Sequence, residues 1–156
     1  MTSLKMILTS AAIIASTSLA FADERYSPIK DETVLKECGA CHMAFQPQML
    51  PKRSWEKIMT TLSDHFGEDA SLDDKTTQQI TNYLVENAAD SGWYSGKMMR
   101  GVCDDWTPMR ITELPYWIRE HKKEVPERAW NYPKVKSKAN CTACHRYAKS
   151  GNYDDD

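Results

Sequence analysis

The pattern C-x-x-C-H occurs twice in this chain, as Cys38-Gly39-Ala40-Cys41-His42 and as Cys141-Thr142-Ala143-Cys144-His145. It is the attachment pattern for c-type haem: two cysteines form thioethers to the porphyrin vinyl groups, and the adjacent histidine ligates the iron. With 5 cysteines and 4 histidines in 156 residues, one chance occurrence has a probability of about 0.004, and two are far rarer. A four-cysteine zinc site built from two C-x-x-C pairs is the main alternative, and a pair of redox dithiols is another. Pairs near opposite ends of the chain, each followed directly by histidine, fit zinc poorly. Any fold this chain adopts must therefore enclose two flat, covalently tied porphyrins.

The histidine count narrows the chemistry. His42 and His145 serve as proximal axial ligands, which leaves His65 and His121. Two spare histidines equal the number of irons that need a sixth ligand. The expected cofactors are two covalently attached haem c groups, held by Cys38, Cys41, Cys141 and Cys144. Their irons are closed by His42, His65, His121 and His145.

The N-terminus points to export. Lys5 supplies a short positive region, residues 6–19 are apolar and small, and Ala20-Phe21-Ala22 is an A-x-A cleavage site. A membrane span wants about 20 strongly apolar residues, so residues 1–22 read as a cleavable signal peptide, with an uncleaved anchor as the alternative. The expected localisation is periplasmic. The net charge of −2 gives no basic field for nucleic acid, and no phosphate-binding G-x-x-x-x-G-K loop or dinucleotide G-x-G-x-x-G motif occurs.

The two motifs sit far apart, which suggests two small haem-centred lobes. Neither has enough residues to bury much core unaided; a haem supplies the missing apolar nucleus. Trp (5), Tyr (7) and Met (8) are plentiful, and such side chains pack well on a porphyrin face. The division expected is residues 23–90 for an N-terminal lobe, 91–110 for a connection carrying Gly92, Gly96, Gly101 and Pro108, and 111–156 for a C-terminal lobe.

The fold class expected is mainly α. Residues 31–38 predict a short helix with Val34 and Leu35 on its apolar face. Pro47 and Pro51 oppose helix in the loop after the first motif. Ser54 is a candidate N-cap, followed at helical spacing by Trp55, Ile58, Met59, Leu62, His65 and Phe66, with Gly67 as the stop. Ser71-Leu72-Asp73-Asp74 resembles a capping box, and Ile80, Tyr83, Leu84 and Ala88 continue from it. Thr112 can cap a helix that presents Leu114, Trp117, Ile118, His121 and Val125, with Pro115 in its first turn. Both spare histidines thus fall on predicted apolar stripes. The second lobe is otherwise irregular. No strand pattern of useful length occurs. The fifth cysteine, Cys103, is expected to be buried or inert, with pairing between chains as the alternative, and the tail Asp154-Asp155-Asp156 to be disordered.

The first lobe looks like a compressed class I cytochrome c: helix, haem motif, distal ligand, closing helix with Ile80-x-x-Tyr83-Leu84. It departs at the sixth ligand, where that class usually has methionine and this chain has His65. Beyond this, Cys38 to His42, Leu50-Pro51-x-x-Ser54-Trp55, His65-Phe66-Gly67, Asn87-Ala88-Ala89-Asp90, Arg110-Ile111-Thr112, Pro115-Tyr116-Trp117 and Asn140-Cys141-x-x-Cys144-His145 together resemble the bacterial dihaem cytochrome c family. The resemblance covers nearly the whole chain after the leader. It implies two bis-histidine haems and periplasmic electron transfer. It also implies redox-protein partners, with a small high-spin monohaem cytochrome c as the characterised partner class and a membrane cytochrome b as a donor. Local pairing, His65 with the first haem and His121 with the second, crosses the chain least.

Two strong nitrogen ligands leave no open iron position, and histidine pairs lower the potential relative to Met/His ligation. The function expected is outer-sphere transfer of single electrons through two low-potential haems, not enzymatic catalysis. Lys134, Lys136, Lys138 and the Arg119, Lys122, Lys123 group lie where they would make the surroundings of the second haem basic. One rival is a dihaem subunit feeding electrons to a larger periplasmic reductase complex; in the small nitrate reductase subunit a distal histidine lies upstream of the first motif, and here none precedes His42. Another is a small haem enzyme, which needs an open iron.

Overall fold

A computed structural model of the protein describes residues 25–92 and 96–154. The leader, 1–22, lies outside the described residues. Among the described residues four α-helices form: α1 (Glu32–Cys38), α2 (Lys52–Thr60), α3 (Asp74–Glu86) and α4 (Pro115–Glu124). Short 3₁₀ turns link them, and among the described residues there is no strand. The fold is mainly α, as the sequence predicts.

α1 begins at Asp31, whose carboxylate accepts from the Val34 backbone N–H at 3.0 Å. That bond satisfies one of the orphan donors of a helix start. It buries Val34 against α3 but leaves Leu35 exposed at 44%, beside the first haem motif rather than in the core. α2 packs on α3 through Trp55, Ile58 and Met59 on one side and Ile80 and Leu84 on the other, all buried. Ala89 N donates to Leu50 O at 3.0 Å, and Asp90 Oδ1 accepts from Lys52 N at 2.8 Å. The exit of α3 is thereby tied to the start of α2.

Several helix ends differ from expectation. Ser54 is not a cap: α2 starts at Lys52 after Pro51, because proline's fixed φ suits a helix entrance. The Ser54 hydroxyl is buried, and among the described residues it has no hydrogen-bond partner. α2 also stops at Thr60 instead of running to Phe66. Thr60 and Thr61 both turn their hydroxyls back to Lys57 O at 2.9 Å, a local bond that competes with helix continuation. The cap of α3 is Asp73, not Ser71, accepting from Thr76 N at 3.1 Å. α4 starts from Leu114 with Pro115 at its first position, while Thr112 sits in the preceding 3₁₀ turn. Ile118, expected on the apolar stripe, is exposed at 46%.

The connecting segment is docked onto α2. Arg53 donates from Nε to Trp106 O at 2.8 Å and from Nη2 to Cys103 O at 3.0 Å. Met98 and Pro108 are buried there. Cys103 itself is an exposed free thiol, which corrects the expectation of burial; its backbone rather than its sulfur is engaged.

The chain's end returns to the first half. Tyr26 N donates to Gly151 O at 2.8 Å. Gly151 has φ 84°, and an added Cβ would stand 2.2 Å from Tyr26 O, so only glycine fits. Gln46, fully buried, donates to Ala148 O at 2.9 Å and accepts from Tyr153 OH at 2.5 Å. Arg25 bonds Asp154 Oδ2 from Nε and Nη2, at 3.2 and 3.1 Å. Asp154 is therefore held in place, against the expectation of a disordered tail; the two residues after it lie outside the described region. One buried apolar cluster runs from Ile29 through Leu50, Ile80 and Leu114 to Tyr153.

Candidate haem sites

α1 delivers the first motif. Cys38 ends the helix, Gly39 caps it, and the chain turns outward through Cys41 and His42. His42 Nδ1–H donates to Met43 O at 2.7 Å, which leaves Nε2 for a metal. Its ring stacks on Phe45 at 5.1 Å. His65 comes from a tight turn after α2, not from the helix stripe the periodicity suggests. Its backbone exchanges bonds with Glu68, N to O at 2.7 Å and O from N at 3.3 Å. Phe66 follows at φ 57° and Gly67 at φ 99°. This reversal aims His65 back at the first motif, and the His42 and His65 ring centres lie 6.2 Å apart with planes 18° from parallel. Burial first, then the nearby His42 ring and the Arg110 guanidinium, lowers the His65 pKa. That direction favours the neutral imidazole, the form a metal binds.

The second motif lies in a 3₁₀ turn, Cys141–Ala143. Asn140 anchors it by donating from Nδ2 to Lys134 O at 3.0 Å and Val135 O at 3.1 Å, and His145 N bonds back to Cys141 O at 2.8 Å. His121 stands on α4, as predicted. Its Nδ1–H donates to Trp117 O, one turn earlier, at 2.9 Å. Its ring stacks on the Trp117 ring at 3.9 Å, and Trp130 stands tilted beside it, centre to centre 6.0 Å and 33° from coplanar. The His121 and His145 ring centres are also 6.2 Å apart, here with planes at 81°.

The spacing can be tested against an iron. Two metal–imidazole bonds of about 2.0 Å, plus roughly 1.1 Å from nitrogen to ring centre on each side, give about 6.2 Å. Both observed separations are 6.2 Å. Among the described residues no cluster of three or more His, Cys, Asp or Glu could hold a bare ion. Two axial histidines suffice only for a metal that brings its own equatorial ligands, as a porphyrin iron does. In each motif the first cysteine is sheltered and the second exposed. Burial raises the Cys38 thiol pKa and pushes Cys141 up to about 11.

The family pattern of dihaem cytochrome c matches residues 34–153. This chain belongs to the dihaem cytochrome c family. It accordingly carries two covalently bound haem c groups, and its role is electron transfer. Solved structures agree. A diheme cytochrome c from Rhodobacter sphaeroides is 46% identical, with 81% of this chain and 99% of that chain covered at a TM-score of 0.77. A diheme cytochrome type c from Shewanella baltica OS155 is 36% identical, with 79% and 86% covered at a TM-score of 0.65. No curated protein matches the chain.

Three features of this dihaem cytochrome escape the sequence. The Trp117 and Trp130 rings around His121 combine a same-helix neighbour with a residue from the following loop, and only the first has a local signal. The Tyr153–Gln46 bond joins residues 107 apart in sequence, and no local pattern announces it. Tyr153 also sets its ring edge-on to His145 at 5.5 Å, so the bond reaches from the second site to the loop carrying the first.

Proposed function

We propose that the protein carries single electrons between redox partners in the periplasm, with each iron closed by two histidines: His42 with His65, and His145 with His121. The observation that carries this reading is the pair of equal ring separations, each matching one iron between two imidazoles. Haem c, when bound, supplies an iron that cycles between ferric and ferrous states. The protein's part is to hold the ligands so that neither state rearranges them. Met43 O and Trp117 O each accept from an Nδ1–H, which fixes the tautomer and strengthens the Nε2 donor. Paired imidazoles favour the ferric state over a Met/His pair and set a low potential.

Cys41 and Cys144 are exposed, so a haem held by them would be open to outer-sphere transfer there. Lys122, Lys123, Lys134 and Lys136 are exposed around the second site, and Lys138 Nζ lies 5.4 Å from the Trp130 ring centre. Such a cluster steers an acidic partner, affecting encounter rate more than affinity. The partners we propose are other redox proteins: a small high-spin monohaem cytochrome c, and a membrane cytochrome b upstream.

Low-temperature EPR and carbon monoxide binding on the haem-loaded protein test the reading. Two low-spin ferric signals and no rapid carbon monoxide binding by the reduced protein are expected. A high-spin ferric signal, or a methionine charge-transfer band, overturns it.

A further inference from the structure

The two histidine pairs share one separation but not one orientation. The first pair is 18° from parallel and the second is 81°. An imidazole on iron has little intrinsic preference for rotation about its bond to the metal. The ring plane is therefore set by what the other ring nitrogen and the ring faces touch. Around His121 these contacts converge. Its Nδ1–H is bound to the carbonyl of Trp117, and the indole of the same residue lies flat on the ring at 3.9 Å and 19°. Both constraints come from one residue on the same rigid helix turn. His145 is held from another direction, just beyond the 3₁₀ turn Cys141–Ala143, with Tyr153 edge-on at 5.5 Å and 62°. At the first site, His42 is turned by Met43 O and by Phe45, whose ring is 26° from its own.

Resting on the bis-histidine reading above, we propose that the two haem irons are electronically distinct because of ligand-plane geometry, near-parallel at the first and near-perpendicular at the second. Trp117 is the positioning residue that sets the second. The physical consequence follows from π donation. Parallel imidazoles both donate into one of the two iron d orbitals that point between the porphyrin nitrogens, and so split the pair. Orbital angular momentum is then quenched, and the ferric ion gives an ordinary rhombic signal. Perpendicular imidazoles donate one into each orbital and leave them nearly degenerate. Orbital momentum survives, and the ferric ion gives a strongly anisotropic signal with its main feature at unusually low field. The haems thus report separately in one spectrum, and a redox titration followed by EPR reads each potential without altering a ligand.

The test is low-temperature EPR of the oxidised, haem-loaded full chain, with Trp117→Phe and Trp130→Phe beside it. The wild type should give two low-spin signals of equal integrated spin, one rhombic and one strongly anisotropic. Trp117→Phe keeps the backbone carbonyl but shrinks the stacking face; it should shift only the anisotropic signal, toward higher field, and leave the rhombic one in place. Trp130→Phe, further from the ring, should shift it less. Two rhombic signals in the wild type overturn the proposal while leaving bis-histidine ligation intact. A high-spin signal removes the underlying reading instead. If Trp117→Phe leaves both signals unmoved, or moves only the rhombic one, Trp117 is not the positioning residue. Should that variant not assemble, Trp117→Tyr carries the same expectations.

Discussion

The two haem sites reach the same ring separation, 6.2 Å, by opposite means. At the first, the motif precedes its partner histidine, and helices do the positioning: α1 ends in the motif, and α2 packed on α3 places the turn that carries His65. At the second, the partner precedes the motif. One helix and a run of 3₁₀ turns hold the geometry through the Trp117 and Trp130 rings and the Asn140 bonds. The first site inherits order from helix packing that burial of Ile80 and Leu84 already stabilises. The second shares the buried cluster through Leu114, Trp117 and Ala148 but is held more by turns and ring contacts than by paired helices.

The largest effect expected from this difference is in attachment. The double variant Cys141→Ala/Cys144→Ala should lose the second haem and the tryptophan near-UV dichroism of Trp117 and Trp130, while the helical signal of α1 to α3 stays. Circular dichroism and haem stoichiometry check it; matching losses from Cys38→Ala/Cys41→Ala, with α1 to α3 equally intact, would erase the contrast. Leu84→Ala comes next. It empties space under α2 and should destabilise the protein by about 2–5 kcal/mol, measured by denaturant unfolding and seen first in the first site's Soret band.

Tyr153→Phe is smaller and crosses the comparison. It leaves Gln46 Oε1 buried without its partner and should cost about 1–3 kcal/mol. Because Tyr153 touches His145 and Gln46 lies in the first site's loop, both Soret bands should respond; a response at one haem alone would show that the bond does not link the sites. Ser54→Ala is the smallest. A cap would cost about 1 kcal/mol when removed, but a buried hydroxyl with no partner among the described residues should cost nothing or gain stability when removed. Acid behaviour follows similar logic. Backbone N–H groups hold the Asp31 and Asp73 carboxylates below their ordinary pKa, with the Thr76 hydroxyl adding most at Asp73. Their stabilising share is thus fully present above about pH 3.9 and lost as pH falls through the depressed values.

Residue pattern alone located α1, most of α3, and α4 with His121 on it, because each carries apolar residues at helical spacing. The two haem attachment sites are legible too, since the cysteine spacing is a covalent requirement, and the proposed axial ligands follow from counting histidines. The error at α2 has a physical cause: the apolar period runs on through His65 and Phe66, but Thr60 and Thr61 bond back to Lys57 O and end the helix first. Ser54, Ser71 and Thr112 each stand near a helix start as suitable capping side chains, but Pro51, Asp73 and Leu114 take the cap positions. The docking of the last residues onto Gln46 and Tyr26 depends on contacts spanning most of the chain, which no local pattern encodes.

The Arg25–Asp154 ion pair has a topological consequence. Its side chains meet at 3.1 Å, and beside it the Tyr26 N to Gly151 O bond of 2.8 Å draws the two backbone ends of the described fold together. A short peptide joining those ends, with new termini opened at exposed Gly92, would yield a circular permutant. Its haems would be encoded in the opposite order along the chain yet would occupy the same places in space.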